Sequence, residues 1–524
     1  MTTAVDRLAV ARPSNPAQPS ALWWAWPAAP PTAVAIANAV AFLAVRPPVG
    51  DLWAARARQS AASHGVGLTY WFSWFGGGSA PGSYSILTPY ISVLIGSVLL
   101  GALATAAITP LCWRLVQGSP YPLAATWVAT VAAGFSLWSG RIPFAVGTAT
   151  SVAALIAVRE RQHIWAAICA VLAVLFSPVS GAFIAFCLAG TFLLTRTHRR
   201  IALTTMLSVA LSLVLIAAVF GVPGPEGYPV KQALSASLGL IVLLIARPPR
   251  HLVALIVLTL VACPILVAIP NAMGSNFQRL VWIWLPVAVI ATARARRHVA
   301  FLAVAIVVYF GAQGTIQELH VATKPMSSAN YYTALATELD TIPGLDNYRI
   351  EVPYDGTHTA AYALLDHAAL AGGYESQTDH ALNAVLRSSI RLDAESYRLW
   401  LDTNAVGYVA VGRTTLSDNP EYRLVTSAQL SYLSPIWADS NWTLYEVTNP
   451  RPIVEPPATM IDASQSSLTI RVPGAGVIGV RVRWSKFLSV ERPVDAPAAS
   501  LTDDGYGWTL LTTQQSGLYV LHGS

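Results

Sequence analysis

The sequence predicts a polytopic α-helical membrane domain of about 11 spans, followed by an α+β domain that ends in a small β-sandwich. Three observations predict it. Only 11% of the 524 residues are charged and mean hydropathy is +0.52, whereas soluble proteins carry about 25% charged residues. The deficit is uneven: from Ile86 to Gln317 the only acids are Glu160 and Glu226, while the last two hundred residues have ordinary polarity. Finally, the runs SLTIRV, IGVRVRW and LYVLHG near the C-terminus alternate as β-strands do.

A perpendicular span needs roughly 20 apolar residues. The first candidate runs from about Ala21 to Val45, after a tail (residues 1–20) that lacks a signal-peptide pattern. A polar stretch from Arg46 to about Tyr90 follows. Further runs lie near Ile91–Trp113, Pro122–Leu137, Phe144–Val158, Ile164–Phe176 and Val179–Leu194. The run before Pro178 is too short to cross perpendicularly, which predicts a re-entrant or protein-shielded segment. Ile201–Phe220, a run ending at Arg247, Leu252–Ile269, a run ending at Arg294 and Val299–Gly314 complete the eleven. Arg114, Arg159/Arg161, Arg196/Arg199/Arg200, Arg247/Arg250 and Arg294/Arg296/Arg297 fall on one side if each run crosses once. The positive-inside rule makes that side cytoplasmic. The N-terminus is then expected inside, and the segment after residue 317 outside, in a multi-pass plasma-membrane protein.

The soluble part divides at Pro450–Pro457, giving an α/β unit over 318–450 and a β-sandwich over 451–524. RIEVPY, VGYVAVG and WTLYEV read as strands, and the region from Leu382 to Trp400 as helical. Clustering of the cations between apolar runs argues against nucleic acid as a partner. Cys112, Cys169, Cys187 and Cys263 all lie inside apolar runs, without the spacing of a zinc site or a disulfide framework.

The functional signal concentrates in Gly50–Pro89. Asp51 is the only acid between Asp6 and Glu160. It reads either as a helix N-cap or as a general base for an acceptor hydroxyl. If the leaving group is a phosphate, cations must meet the departing charge. Arg56, Arg58, Arg141, Arg279 and Lys231 are the candidates on the predicted outer face, and arginine's planar fork suits phosphate. For Arg56 and Arg58 the alternative is lipid headgroup contact; for Arg141 and Arg279 it is snorkelling to the interface. Trp71, Phe72, Trp74 and Phe75 are expected in an interfacial aromatic belt. Gly76–Gly78 offers a weak phosphate-cradle signal. His64, Trp74, Tyr84, Glu375, Gln377 and Asp379 are candidate acceptor or loop contacts, and no metal site or cofactor is indicated.

The order of an acid after the first span, an amphipathic loop with Arg and aromatics, and a Gly/Tyr/Pro segment is similar to the GT-C superfamily of membrane glycosyltransferases. Asp51, Arg56, Gly65, Gly76-Gly77, Tyr84 and Pro89 match that outline. More closely, WFGGGSAPGSYSILTPY, GRIPFAVG, FSPVSG, SNFQRL, AGGYESQTD, YRLWLDTNAVGYVAV and WTLYEV resemble a family of uncharacterised actinobacterial integral membrane proteins. There the first piece often reads WYGG followed by two histidines, where Gly78 and Ser79 stand here. The resemblance implies an inverting transferase that takes a sugar from a polyprenyl-phosphate donor and passes it to an envelope glycan or glycolipid. Asp51 would be the base, without a metal. A transporter or flippase for a polar lipid is the rival, but it should show internal repeats and ionisable residues at mid-membrane, and neither is found. A glycan-binding assembly protein without catalysis is the third reading.

Overall fold

The computed structural model describes residues 26–194, 196–221, 224–387, 392–414, 416, 418–427, 429–494 and 497–523. The expected N-terminal tail and the first residues of the first apolar run lie outside them.

Each of the eleven apolar runs contains a helix. They are α1 (Ala29–Val45), α3 (Ser97–Val116), α4 (Pro122–Trp138), α5 (Ile142–Arg159), α6 (His163–Phe176), α7 (Pro178–Leu194), α8 (Arg199–Phe220), α9 (Val230–Leu244), α10 (Arg250–Ala268), α11 (Leu285–Thr292) and α12 (Arg297–Ala322). Five of these (α3, α5, α8, α10, α12) are at least 18 residues long and apolar enough to cross a membrane alone. The prolines at the starts of α1, α4, α5 and α7 fix φ where no helical N–H partner is needed. Pro47 and Pro48 break the chain after α1, and α2 (Gly50–Ser63) leaves at 72°.

The short α6 is covered by protein on one face only, and its Ile164 and Trp165 are more than half exposed. Ala166, Ala170 and Ala173 are fully buried on one face, so neighbouring backbones approach closely. The carbonyl of Leu175, near its C-terminus, accepts from the amides of Ile86 and Leu87. On α8, Leu207, Leu211, Val214 and Leu215 are more than half exposed, the outward apolar face expected against lipid.

After α12 the chain builds a four-stranded sheet, β1-β2-β4-β3, from β1 (Arg349–Glu351), β2 (Val406–Gly412), β3 (Leu433–Ala438) and β4 (Trp442–Val447). β1 and β2 are parallel, and the other pairs antiparallel. β2 is buried along its whole length, while edge strand β3 is largely exposed and carries Pro435. The C-terminal strands β5 (Thr459–Ala463), β6 (Ser467–Val472), β7 (Gly476–Arg483), β8 (Leu488–Glu491), β9 (Ser500–Asp503), β10 (Trp508–Thr513) and β11 (Gly517–Gly523) form two antiparallel sheets, β5-β6-β11-β8 and β7-β10-β9. Ile470, Tyr519 and Leu521 of one and Val480, Val482 and Leu511 of the other share a core. Pro450–Pro457 is packed between the units: Ile453 donates its amide to Asn347 O, and Val454 bridges Val480.

The aromatic stretch after α2 corrects the belt expectation. Trp71, Trp74 and Phe75 are at most 1% exposed and join Tyr331, Tyr332 and Trp442 in the α/β core. Tyr70 and Phe72 enter the sandwich core. Burying such rings is the strongest single apolar contribution a side chain makes, so this stretch pins the C-terminal half onto one end of the helical bundle. The phosphate-cradle reading of Gly76–Gly78 fails for the same reason: a Cβ on Gly77 would overlap the Tyr70 ring, and one on Gly76 would press Arg349 and Trp508.

Candidate active site

Asp51 sits in the first turn of α2, where the helix dipole favours a carboxylate. Val49 holds the N-cap position, so the N-cap alternative for Asp51 falls away. Its carboxylate turns instead toward three other parts of the chain. Tyr374 donates its hydroxyl to Oδ1 at 2.7 Å, Arg141 donates Nε to Oδ2 at 3.3 Å, and Arg279 Nη2 stands 3.9 Å from Oδ2.

Each partner arrives for a local reason. Arg141 follows Gly140, whose φ of +75° is open to glycine and costly for other residues. A Cβ there would lie 2.5 Å from the Leu52 amide nitrogen, so the glycine lets the α4–α5 turn touch the start of α2. Arg279 precedes a π-helical turn, Leu280–Trp284, a distortion that re-aims side chains at functional sites. Its guanidinium stands 5.0 Å from the Phe144 ring centre. Tyr374 belongs to the AGGYESQTD segment, which docks against the bundle loops through Gln377, a donor to Glu226 Oε2 at 2.9 Å.

The constellation includes Glu318, which accepts from Arg141 Nη2 at 2.6 Å. Arg141 therefore spans two carboxylates, Asp51 and Glu318. Burial opposes its charge, yet Glu318 and Asp51 outweigh burial and raise its pKa. For Arg279, burial and then the nearby Arg141 pull the pKa down to about 10, still protonated at neutral pH. Burial, then Asp51, push the Tyr374 phenol well above its usual value, so it stays a neutral donor.

These groups line a cavity of about 490 Å³ between the bundle and the α/β unit, together with Gln278, Asn276, Trp282, Tyr354 and His358. Its size falls in the range of about 300–1,000 Å³ usual for small-molecule sites. Burial, then Arg387, hold the His358 imidazole down to about 4, so it is neutral. Among the described residues no three His, Cys, Asp or Glu side chains group as a metal site.

The other sequence candidates lie elsewhere. Arg58 is 3% exposed, pairs with Glu375 at 2.7 Å and faces the Tyr84 ring at 3.9 Å. Glu375 also accepts from Ser79 and Thr378, which makes it the anchor of this internal knot. Arg56 lies over Trp53 at 5.0 Å, and Trp74 donates to Ala361 O. Lys231 is exposed at the start of α9. His64 caps the far end of α2 against Ser60 O, and Asp379 is engaged by Asn383 and Arg387. None of these lines the Asp51 cavity. Sequence reasoning missed Glu318, reading it as the start of the soluble domain. Its signal was available: it is the one acid on the last apolar helix.

No family model matches the chain, and no curated protein matches it. Among solved structures it is similar to arabinofuranosyltransferase AftD from Mycobacteria, with 15% identity and a TM-score of 0.45 over 87% of this chain and 42% of that one. The chain thus spans less than half the AftD chain. It is also similar to archaeal oligosaccharyltransferase AglB from Archaeoglobus fulgidus, in complex with an inhibitory peptide and a dolichol-phosphate, with 11% identity and a TM-score of 0.43 over 74% of this chain and 70% of that one. A third is ArnT from Cupriavidus metallidurans bound to undecaprenyl phosphate, with 12% identity and a TM-score of 0.44 over 81% of this chain and 97% of that one.

Proposed function

We propose that this chain is an inverting glycosyltransferase that moves a sugar from a polyprenyl-phosphate donor to an envelope glycan or glycolipid on the outer face of the plasma membrane. The observation that carries the reading is the meeting of Asp51, Arg141 and Arg279, far apart in sequence, on one cavity. In this scheme the acceptor oxygen attacks the anomeric carbon and the bond to the phosphate oxygen breaks. A free lone pair of Asp51 takes the acceptor proton. Arg141 and Arg279 meet the charge that develops on the departing phosphate. Because attack and departure lie on opposite faces, the configuration inverts. Tyr374 and Glu318 hold Asp51 and Arg141 in place. Arg56, Arg58 and Lys231 have no donor role here.

The test is transfer of labelled sugar from a polyprenyl-phosphate donor by membranes containing the full chain. Asp51→Asn is expected to insert and fold normally while transfer falls about 10²–10⁴-fold, the usual worth of a general base. Undiminished transfer by that variant would sink the proposal.

A further inference from the structure

The Asp51 cavity has a neighbour. A second cavity of about 280 Å³ lies within the α/β unit and shares Tyr354 and His358 with the first. His358 holds a φ of +57°, a strained conformation that persists where its surroundings over-determine it. Its ring lies 4.4 Å from Tyr354 and 4.8 Å from Tyr374, the residue that holds Asp51. The partition between the two spaces is thus built of rings in contact.

Five acids line the second cavity, Glu351, Asp355, Asp379, Asp418 and Glu421, and of these Glu351 at 5% exposure and Glu421 at 2% are the most buried. Tyr397 donates to Glu421 at 2.7 Å. No described residue gives the Glu351 carboxyl a hydrogen bond, although buried polar groups are almost always paired. Of the others, Asp355 is held by Tyr332 and Thr357, Asp379 by Asn383 and Arg387, and Asp418 is exposed. Burial raises both glutamates, Glu421 to about 7, and Glu421 raises Glu351 further. Near neutral pH Glu421 is therefore partly protonated, and the cavity offers a carboxyl O–H donor as well as acceptors. That chemistry suits hydroxyl groups, which both donate and accept, better than a cation.

We propose that the second cavity binds a sugar residue of a neutral glycan acceptor, hydrogen-bonded by Glu351 and Glu421, with the reactive hydroxyl reaching past His358 to Asp51. This rests on the transferase reading for its last step but not for binding.

Gly372 lines this cavity, and a Cβ on it meets nothing within 4 Å, so Gly372→Leu starts its side chain in open space, with thermal unfolding as the control for the fold. The full chain in lipid nanodiscs is applied to a printed array of neutral and acidic oligosaccharides of hexoses and pentoses. The unsubstituted protein and Asp51→Asn are expected to retain the same neutral glycans, and Gly372→Leu and Glu351→Leu to lose at least tenfold in retention. Retention of no neutral glycan, of acidic glycans alone, or equal retention by both cavity variants overturns the proposal. Binding is read without transfer, so an Asp51→Asn protein that binds glycan and still transfers sugar at the full rate would remove Asp51 as the base and leave this result standing.

Discussion

Arg141→Lys separates the positive charge at the candidate site from its geometry. Arg141 uses Nε on Asp51 at 3.3 Å and Nη2 on Glu318 at 2.6 Å, with its side chain 20% exposed. Lysine keeps the charge but has one nitrogen, which cannot hold both carboxylates in the fork geometry. One charge-assisted hydrogen bond is lost, a net cost of about 1.5–3 kcal/mol. If that bond fixes Asp51 and the phosphate edge of Arg141 in the transition state, the rate falls about 10–150-fold at roughly 1.4 kcal/mol per decade. The assay is steady-state sugar transfer in proteoliposomes, with thermal unfolding of the same preparations as control. A lysine variant within about twofold of the unsubstituted rate would refute the reasoning, as would a loss matched by unfolding.

Other outcomes follow from the same contacts. Gly140→Ala puts a Cβ 2.5 Å from the Leu52 nitrogen at a positive φ, so thermal unfolding should show a loss of about 1–3 kcal/mol, along with reduced transfer. Trp74→Ala, which empties a fully buried site joining loop and α/β unit, should cost about 3–5 kcal/mol and open residues 65–80 to limited proteolysis. The Glu351/Glu421 pair gives a pH signature. Both have folded values above the ordinary 4.5, so the folded state binds more protons than the unfolded one from about pH 4.5 upward. Stability is therefore greatest below that range and declines as pH rises through 7. Glu421→Gln should flatten that slope in denaturant titrations across pH; an unchanged slope would assign it elsewhere.

Much of this was legible in the sequence for physical reasons. Apolar runs must be helical in lipid because no water satisfies their backbone, so each of the eleven runs contains a helix. Asp51, Arg141 and Arg279 stood out because isolated charges beside apolar sequence ask for partners, and all three have them. Sequence spacing could not reveal which partners. Arg58 and Glu375 lie 317 residues apart and satisfy each other, which takes Arg58 out of the cavity. The aromatic stretch misled because a ring buried in a soluble core and a ring in an interfacial belt look alike in one dimension. Glu318 was hidden by its position, at the end of an apolar helix where polarity rises in any case. Edge strands such as β3, short and largely exposed, leave too weak an alternation to read.

The decisive feature is where a lipid-linked phosphate sits. A structure of the full chain determined with a polyprenyl phosphate bound would measure that directly. The expected result is phosphate oxygens within about 3 Å of both the Arg141 and Arg279 guanidinium groups, inside the cavity that Asp51 lines. A phosphate held away from that cavity, against Arg56 or Lys231, would contradict it.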